Sequence, residues 1–270
     1  LQYGELAPFS TEECPNLPAN FMPSTYAAEA LTLEHASSPR YHDTYTYTQD
    51  DWRRYLYAYY RLVERADREV GRIVGVLKAH GLYDDAAIVF LSDHGDGAAA
   101  HGWNQKWNLQ EEVINVPLIV KPPKGAGLRG VRNDEALSNV GLDLYATVCD
   151  YAGVTPDLER YRGRSLRPVA EGRQATLHDE VFVETLLPGP DMRGWSVVGP
   201  RYKYVLYQWG RNREALYDLQ DDPGEMVNLA VDRRYEAELN RLRRAMYDWG
   251  VRIGDPKLVR NLRPFAETRN

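Results

Sequence analysis

Apolar residues between Trp52 and Leu77 recur at steps of three and four: Trp52, Tyr55, Leu56, Tyr59, Leu62, Val63, Ala66, Val70, Ile73, Val74 and Leu77. This spacing predicts one long helix with a single buried stripe. Thr48, with Asp51 three residues on, matches a capping box at its start, and His80-Gly81 supplies the stop. The run Ala86-Ala87-Ile88-Val89-Phe90-Leu91 is too short and too β-branched for a helix. It predicts a strand buried on both faces, as in a parallel sheet covered by helices, so that helix, turn and strand form half of a right-handed crossover. Val116–Lys121 predicts a second buried strand, ended by Pro122-Pro123. Residues 139–152 predict a second helix with Val140, Leu144, Tyr145, Val148 and Cys149 on one face and Gly153 as its stop.

From about residue 174 the pattern changes to short alternating runs: Glu180–Glu184, Trp195–Val198, Tyr202–Tyr207 and Ala215–Leu219, separated by Gly, Pro and Asn. These predict an antiparallel sheet with one covered face. Asp222-Pro223-Gly224-Glu225 reads as a turn. A last helix, carrying Tyr235, Leu239, Leu242, Met246 and Trp249, is expected to cap the sheet. The first forty-odd residues, broken by Pro8, Pro15, Pro18 and Pro23, read as an extended loop.

Composition narrows the partners. With 33 basic and 39 acidic residues the net charge is −6, which offers no electrostatic attraction to nucleic acid or to an anionic membrane. No apolar run reaches the length of a transmembrane helix, and the two cysteines, Cys14 and Cys149, make no disulfide framework. Cys149, on an apolar helix face, is expected to be an inert core thiol. Leu1 in place of an initiator Met reads as a trimmed or partial chain, which leaves the compartment open among periplasmic, secreted and cytoplasmic.

The candidate chemistry begins where the first strand ends, at the edge where ligands sit in open α/β sheets. Asp93 offers a hard carboxylate and His94 an imidazole, at a chain reversal eased by Gly95 and Gly97. Two metal ligands and a downstream cation, Lys106, suit an enzyme that handles a charged oxyanion. Asp-His-Gly alone is common in loops, so the weight lies on the longer order: Ser92-Asp93-His94-Gly95-Asp96, His101-Gly102, Lys106, Glu111-Glu112 and Val116-Pro117-Leu118-Ile119-Val120. This order resembles the sulfatase family of the alkaline phosphatase superfamily. The resemblance extends through Leu17-Pro18-Ala19-Asn20, Tyr59 to Gly71, Gly163-Arg164-Ser165-Leu166, and Leu216-Tyr217-Asp218-Leu219 with Asp222-Pro223, Glu225 and Asn228-Leu229-Ala230. It covers essentially the whole chain.

The resemblance implies an α/β fold: part of an alkaline-phosphatase-like sheet flanked by helices, followed by a small C-terminal antiparallel sheet with a helix. Residues 1–172 would be the C-terminal part of the catalytic domain, and 173–270 a smaller α+β subdomain. It implies a divalent cation on Asp93 and His94, calcium first, with magnesium, manganese or zinc as alternatives. Further acidic ligands would come from an early Asp-Asp motif that has no matching context here. Lys106 would give a point charge to a sulfate oxygen. His101 would contact substrate or donate a proton, or else be a loop histidine bonded to backbone. Asp96 is expected to brace the loop.

The family's nucleophile is a formylglycine made from Cys-x-Pro-x-Arg. Cys14-Pro15-Asn16-Leu17-Pro18 does not match it, since Asn16 and Pro18 stand where proline and arginine are needed. The chain is therefore expected to carry half of a sulfatase site, the nucleophile lying in an absent N-terminal portion. Three functions stay open: hydrolysis of sulfate esters of a carbohydrate or small aryl or alkyl compound, hydrolysis of phosphonate monoesters or phosphodiesters by the same superfamily's chemistry, and non-catalytic binding of sulfated glycans.

Overall fold

The computed structural model describes residues 10–38, 43–127, 129–157, 160–189 and 191–266; Pro8, in the expected N-terminal loop, lies outside them. The expected mixed α/β architecture, with a C-terminal antiparallel sheet and its helix, is present. The chain forms two compact units: residues 1–17, 47–93 and 116–179 in one, and residues 18–46, 94–115 and 180–270 in the other.

In the first unit, helix α2 (Gln49–Ala79) follows α1 (Glu29–Ser37) of the second unit in chain order. Thr48 and Asp51 cap α2 reciprocally: Asp51 N–H donates to Thr48 Oγ1 at 3.2 Å, and Thr48 N–H to Asp51 Oδ2 at 3.0 Å. Arg53 on its first turns donates to the carbonyls of Thr11, Cys14 and Pro15, which ties the N-terminal loop to the helix. The helix ends at His80, with Gly81 at φ +68° as expected.

The predicted stripe is only partly covered. Trp52, Leu56 and Ala58 are buried, whereas Leu62, Val63 and Ile73 are exposed. Periodicity tells which face of a helix is apolar; it does not supply the surface that would cover that face.

Strands β1 (Ile88–Leu91) and β2 (Leu118–Lys121) also depart from expectation. They pair with each other, antiparallel, with Phe90 opposite Ile119, and both of these side chains are exposed. A parallel pair needs a crossover that returns the chain to the same end. Here residues 92–117 hold no crossover helix, only a 3-10 turn at Ala100–Gly102 and the four-residue helix α3 (Glu111–Ile114), and the chain enters β2 from the end at which it left β1.

Helix α4 (Val140–Ala152) runs from Asn139 to a left-handed Gly153, as predicted. Its buried face differs: Asp143, Ala146, Thr147 and Cys149 are inside, and Tyr145 and Val148 are exposed. Polar satisfaction sets this orientation. The Asp143 carboxylate accepts from Ser138 Oγ at 3.0 Å, Asn139 N–H at 2.8 Å, Arg164 N–H at 2.8 Å and His178 Nε2 at 3.0 Å. Thr147 Oγ1 accepts from Leu166 N–H at 2.9 Å, just before the short helix α5 (Arg167–Ala170). The segment Gly163–Leu166 is thus held along α4, and Cys149 is a buried free thiol as expected.

The second unit is built on a four-stranded antiparallel meander: β3 (Val181–Leu187), β4 (Met192–Val198), β5 (Tyr202–Tyr207) and β6 (Glu214–Asp218). Both faces of this sheet are covered, not one. On one face Trp195, Val197, Tyr204, Leu206 and Leu216 pack against Leu239, Leu242 and Met246 of α6 (Glu236–Ile253) and Leu258 and Leu262 of α7 (Pro256–Ala266). On the other, Leu187, Met192, Val205, Tyr207, Ala215 and Tyr217 pack against Ala28, Ala30 and Leu109. The cover on this second face comes from the start of α1 and from Leu109 in the segment before α3, both far from the strands in sequence, so alternation along the strands does not reveal it.

Candidate functional site

The segment 94–115 is held by tight backbone contacts inside the second unit. Gly95 N–H donates to Val113 O at 2.8 Å, and a Cβ on Gly95 would stand 1.9 Å from Glu112 O. Only glycine permits that approach. Asp96 accepts from Ala98 N–H at 2.8 Å and Gln105 N–H at 3.0 Å, so it braces the loop as expected. Ala98, Ala99, His101, Gln105 and Trp107 all have positive φ. Such a run of left-handed non-glycine residues persists only where the surroundings over-determine the backbone.

Asp93 is exposed and closes a segment of the first unit, and His94 opens a segment of the second. His94 Nδ1 lies 2.8 Å from Gly95 O. With Nδ1–H as donor to that carbonyl, Nε2 carries the lone pair, which is the tautomer a metal-ligating histidine needs. Lys106 Nζ stands 5.8 Å from the centre of the Trp107 ring, and Trp103 Nε1–H donates to Lys106 O at 3.0 Å.

His101 is buried. Its backbone N–H donates to Asn20 O at 2.6 Å, and its Nε2 stands 3.5 Å from Asn20 Nδ2. Burial lowers its pKa below the usual imidazole value, against the opposing pull of Glu112. Asn20 Nδ2 also donates to Glu112 Oε1 at 2.7 Å and Gly224 O at 3.2 Å.

Beside this lies a buried charge cluster that sequence reading did not assign. Lys203 Nζ sits 2.9 Å from Glu111 Oε1 and 2.5 Å from Glu225 Oε1, with no exposure of the lysine. Glu225 Oε2 accepts from Glu111 N–H at 2.7 Å. Burial works to lower the lysine's pKa, but Glu225 and Glu111 outweigh it and hold the ammonium above its ordinary range. Burial pushes Glu225 up to about 6, against the pull of Lys203.

His101, Glu112 and Glu225 form a group whose ligand atoms lie within 4.8 Å of one another, a possible metal-binding set among the described residues. The ammonium of Lys203 already balances Glu225, and Asn20 already donates to Glu112. A signal for Lys203 was present: a lysine inside Tyr202-Lys203-Tyr204-Val205-Leu206-Tyr207, a run apolar enough to be buried on both faces, requires carboxylates opposite it.

A family description, "N-sulphoglucosamine sulphohydrolase, C-terminal", matches residues 99–251, more than half of the chain. The chain belongs to the sulfatase family. A second description, "Sulfatase", matches residues 29–154. Among sulfatases, the chain is similar to the Delta 4,5-hexuronate-2-O-sulfatase of Bacteroides thetaiotaomicron, with 31% identity over 94% of this chain and 53% of that protein. It is also similar to the choline-sulfatase of Rhizobium meliloti, with 31% identity over 69% of this chain and 35% of that protein. Of solved structures, a 2-O GAG sulfatase superposes with a TM-score of 0.84 at 29% identity, covering 94% of this chain and 56% of that one. A phosphonate monoester hydrolase from Silicibacter pomeroyi superposes with a TM-score of 0.68 at 25% identity, covering 91% of this chain and 56% of that one. The chain thus spans only part of these relatives, from 35% of the choline-sulfatase to 56% of the two solved structures.

Proposed function

We propose that the protein to which this chain belongs hydrolyses sulfate esters of carbohydrates, and that these residues carry one half of its active site. The observation behind this reading is the similarity to a hexuronate-2-O-sulfatase over 94% of the chain, with the order Asp93, His94, His101, Lys106 inside it. A 2-O-sulfated uronate is accordingly the first carbohydrate to test. Residues 1–172 would then belong to the catalytic domain and 173–270 to a smaller subdomain.

Asp93 and His94 would hold a divalent cation, calcium first, and the Nδ1–H donation by His94 to Gly95 O is consistent with that role. When bound, the cation supplies positive charge against the sulfate oxygens. Lys106 would add a second positive charge on those oxygens as negative charge builds up. His101 would contact the substrate or donate to the leaving oxygen. Burial lowers its pKa against the pull of Glu112, which works against the imidazolium form. The formylglycine nucleophile implied by the family would be supplied from outside these 270 residues.

The likeness to a phosphonate monoester hydrolase favours a second reading, attack at phosphorus. Parallel assays of the full-length protein on an aryl sulfate and an aryl phosphonate ester, beside Asp93→Ala, separate the two. Faster turnover of the sulfate, lost in the variant, is expected. Faster turnover of the phosphonate would replace the first reading with the second.

A further inference from the structure

We propose that Lys203 is a positioning residue for the His94–Gly95 turn, acting from the C-terminal sheet through Glu111, Glu225 and α3; its relevance to catalysis rests on the metal-ligand reading of His94. The path is continuous. Lys203 Nζ holds Glu111 Oε1 at 2.9 Å and Glu225 Oε1 at 2.5 Å. Glu225 in turn accepts the backbone N–H of Glu111 at 2.7 Å, so the first residue of α3 is gripped by both its side chain and its backbone. Two residues along α3, Val113 O accepts from Gly95 N–H at 2.8 Å, and Glu112 O fills the space beside Gly95 Cα. Gly95 O then accepts from His94 Nδ1 at 2.8 Å, which sets the ring's tautomer and direction.

A buried ion pair often adds little stability over apolar residues of equal volume, and in some proteins its use is to fix the geometry of the groups it joins, which is the use proposed here. Here the joined groups are β5, in the middle of the sheet, and the first residue of α3, the helix whose Val113 O holds the turn that aims His94. The loop that follows carries five positive-φ residues other than glycine, a backbone that reverts to ordinary conformations unless it is clamped. Lys203, with Glu225, fixes the α3 end of that loop from a rigid element.

The test uses the full-length protein with histidine ring nitrogens labelled, read by NMR, together with amide hydrogen exchange. In the wild type His94 is expected as the Nδ1–H tautomer, with a protected Gly95 amide. Lys203→Met is expected to mix the His94 tautomers and to speed Gly95 exchange by about tenfold relative to amides of β3 and β4. Lys203→Arg, which keeps the cation, is expected to retain the wild-type tautomer. Should Lys203→Met not fold, Glu111→Gln leaves the Lys203–Glu225 contact in place and is expected to give the same selective change. Unchanged Gly95 exchange, or a change of equal size throughout the sheet, overturns the proposal. Calcium affinity of the full-length wild type, measured by calorimetry, tests the metal reading separately: its absence removes that reading and leaves the positioning role to be decided by the exchange data.

Discussion

Lys203 Nζ lies 2.5 Å from Glu225 Oε1, and neither side chain has any exposed surface. Removing one member leaves the other charged and dry. Lys203→Met is therefore expected to cost about 3–5 kcal/mol, and Lys203→Met with Glu225→Gln to recover part of the loss, because Glu225 is then no longer an uncompensated buried charge. Denaturant unfolding of the single and double variants measures both. A loss under about 1 kcal/mol in the single variant is the behaviour of a solvated pair and would contradict the burial seen here.

Gly95 sits where a methyl group would stand 1.9 Å from Glu112 O. Gly95→Ala must displace the backbone of α3 or of the turn, and a loss of about 1–3 kcal/mol or more is expected. Thermal unfolding reports the size. A wild-type melting temperature would mean that the approach of the two backbones is looser than described.

Asp143 is expected to make stability fall on the acid side. Burial works against its charge, but bonds from His178 and from the Arg164 and Asn139 N–H groups outweigh it and hold its pKa below the ordinary 3.8. A carboxylate lowered in the folded state contributes stability that is present above about 3.8 and lost as pH falls through the folded value. Asp143→Asn is expected to be less stable than wild type at neutral pH, with the gap narrowing as pH drops below that value. Unfolding midpoints across the acid range test this, and a gap that stays constant would assign the effect to packing alone.

Leu56 and Val63 lie on the same predicted stripe of α2, but only Leu56 is buried, with 1% exposure against 50% for Val63. Leu56→Ala is expected to cost about 2–5 kcal/mol in this chain. Val63→Ala is expected to change stability by no more than about 0.5 kcal/mol. Equal losses in urea unfolding would mean that the far half of the helix is covered after all.

Much of the local structure was legible in the sequence because its causes are local. The Thr48–Asp51 box, the stops at Gly81 and Gly153, the four C-terminal strands and the capping helix each rest on residues within one or two turns of one another. The order Asp93, His94, His101, Lys106 pointed to the sulfatase family on the same terms, and the brace formed by Asp96 spans only nine positions.

What tertiary structure alone decided depends on contacts between residues far apart in the chain. The antiparallel pairing of β1 with β2 follows from where residues 92–117 lead the chain, which no property of either strand records. The covered second face of the C-terminal sheet needs Ala28, Ala30 and Leu109 brought to it. Glu111 and Lys203 are 92 positions apart, and Glu111 and Glu225 are 114 apart. A lysine in a strand shows that a counter-charge is needed. Which carboxylates supply it is settled only when the chain has closed around them, because Coulomb energy in a dry interior depends on distance in space and not along the sequence.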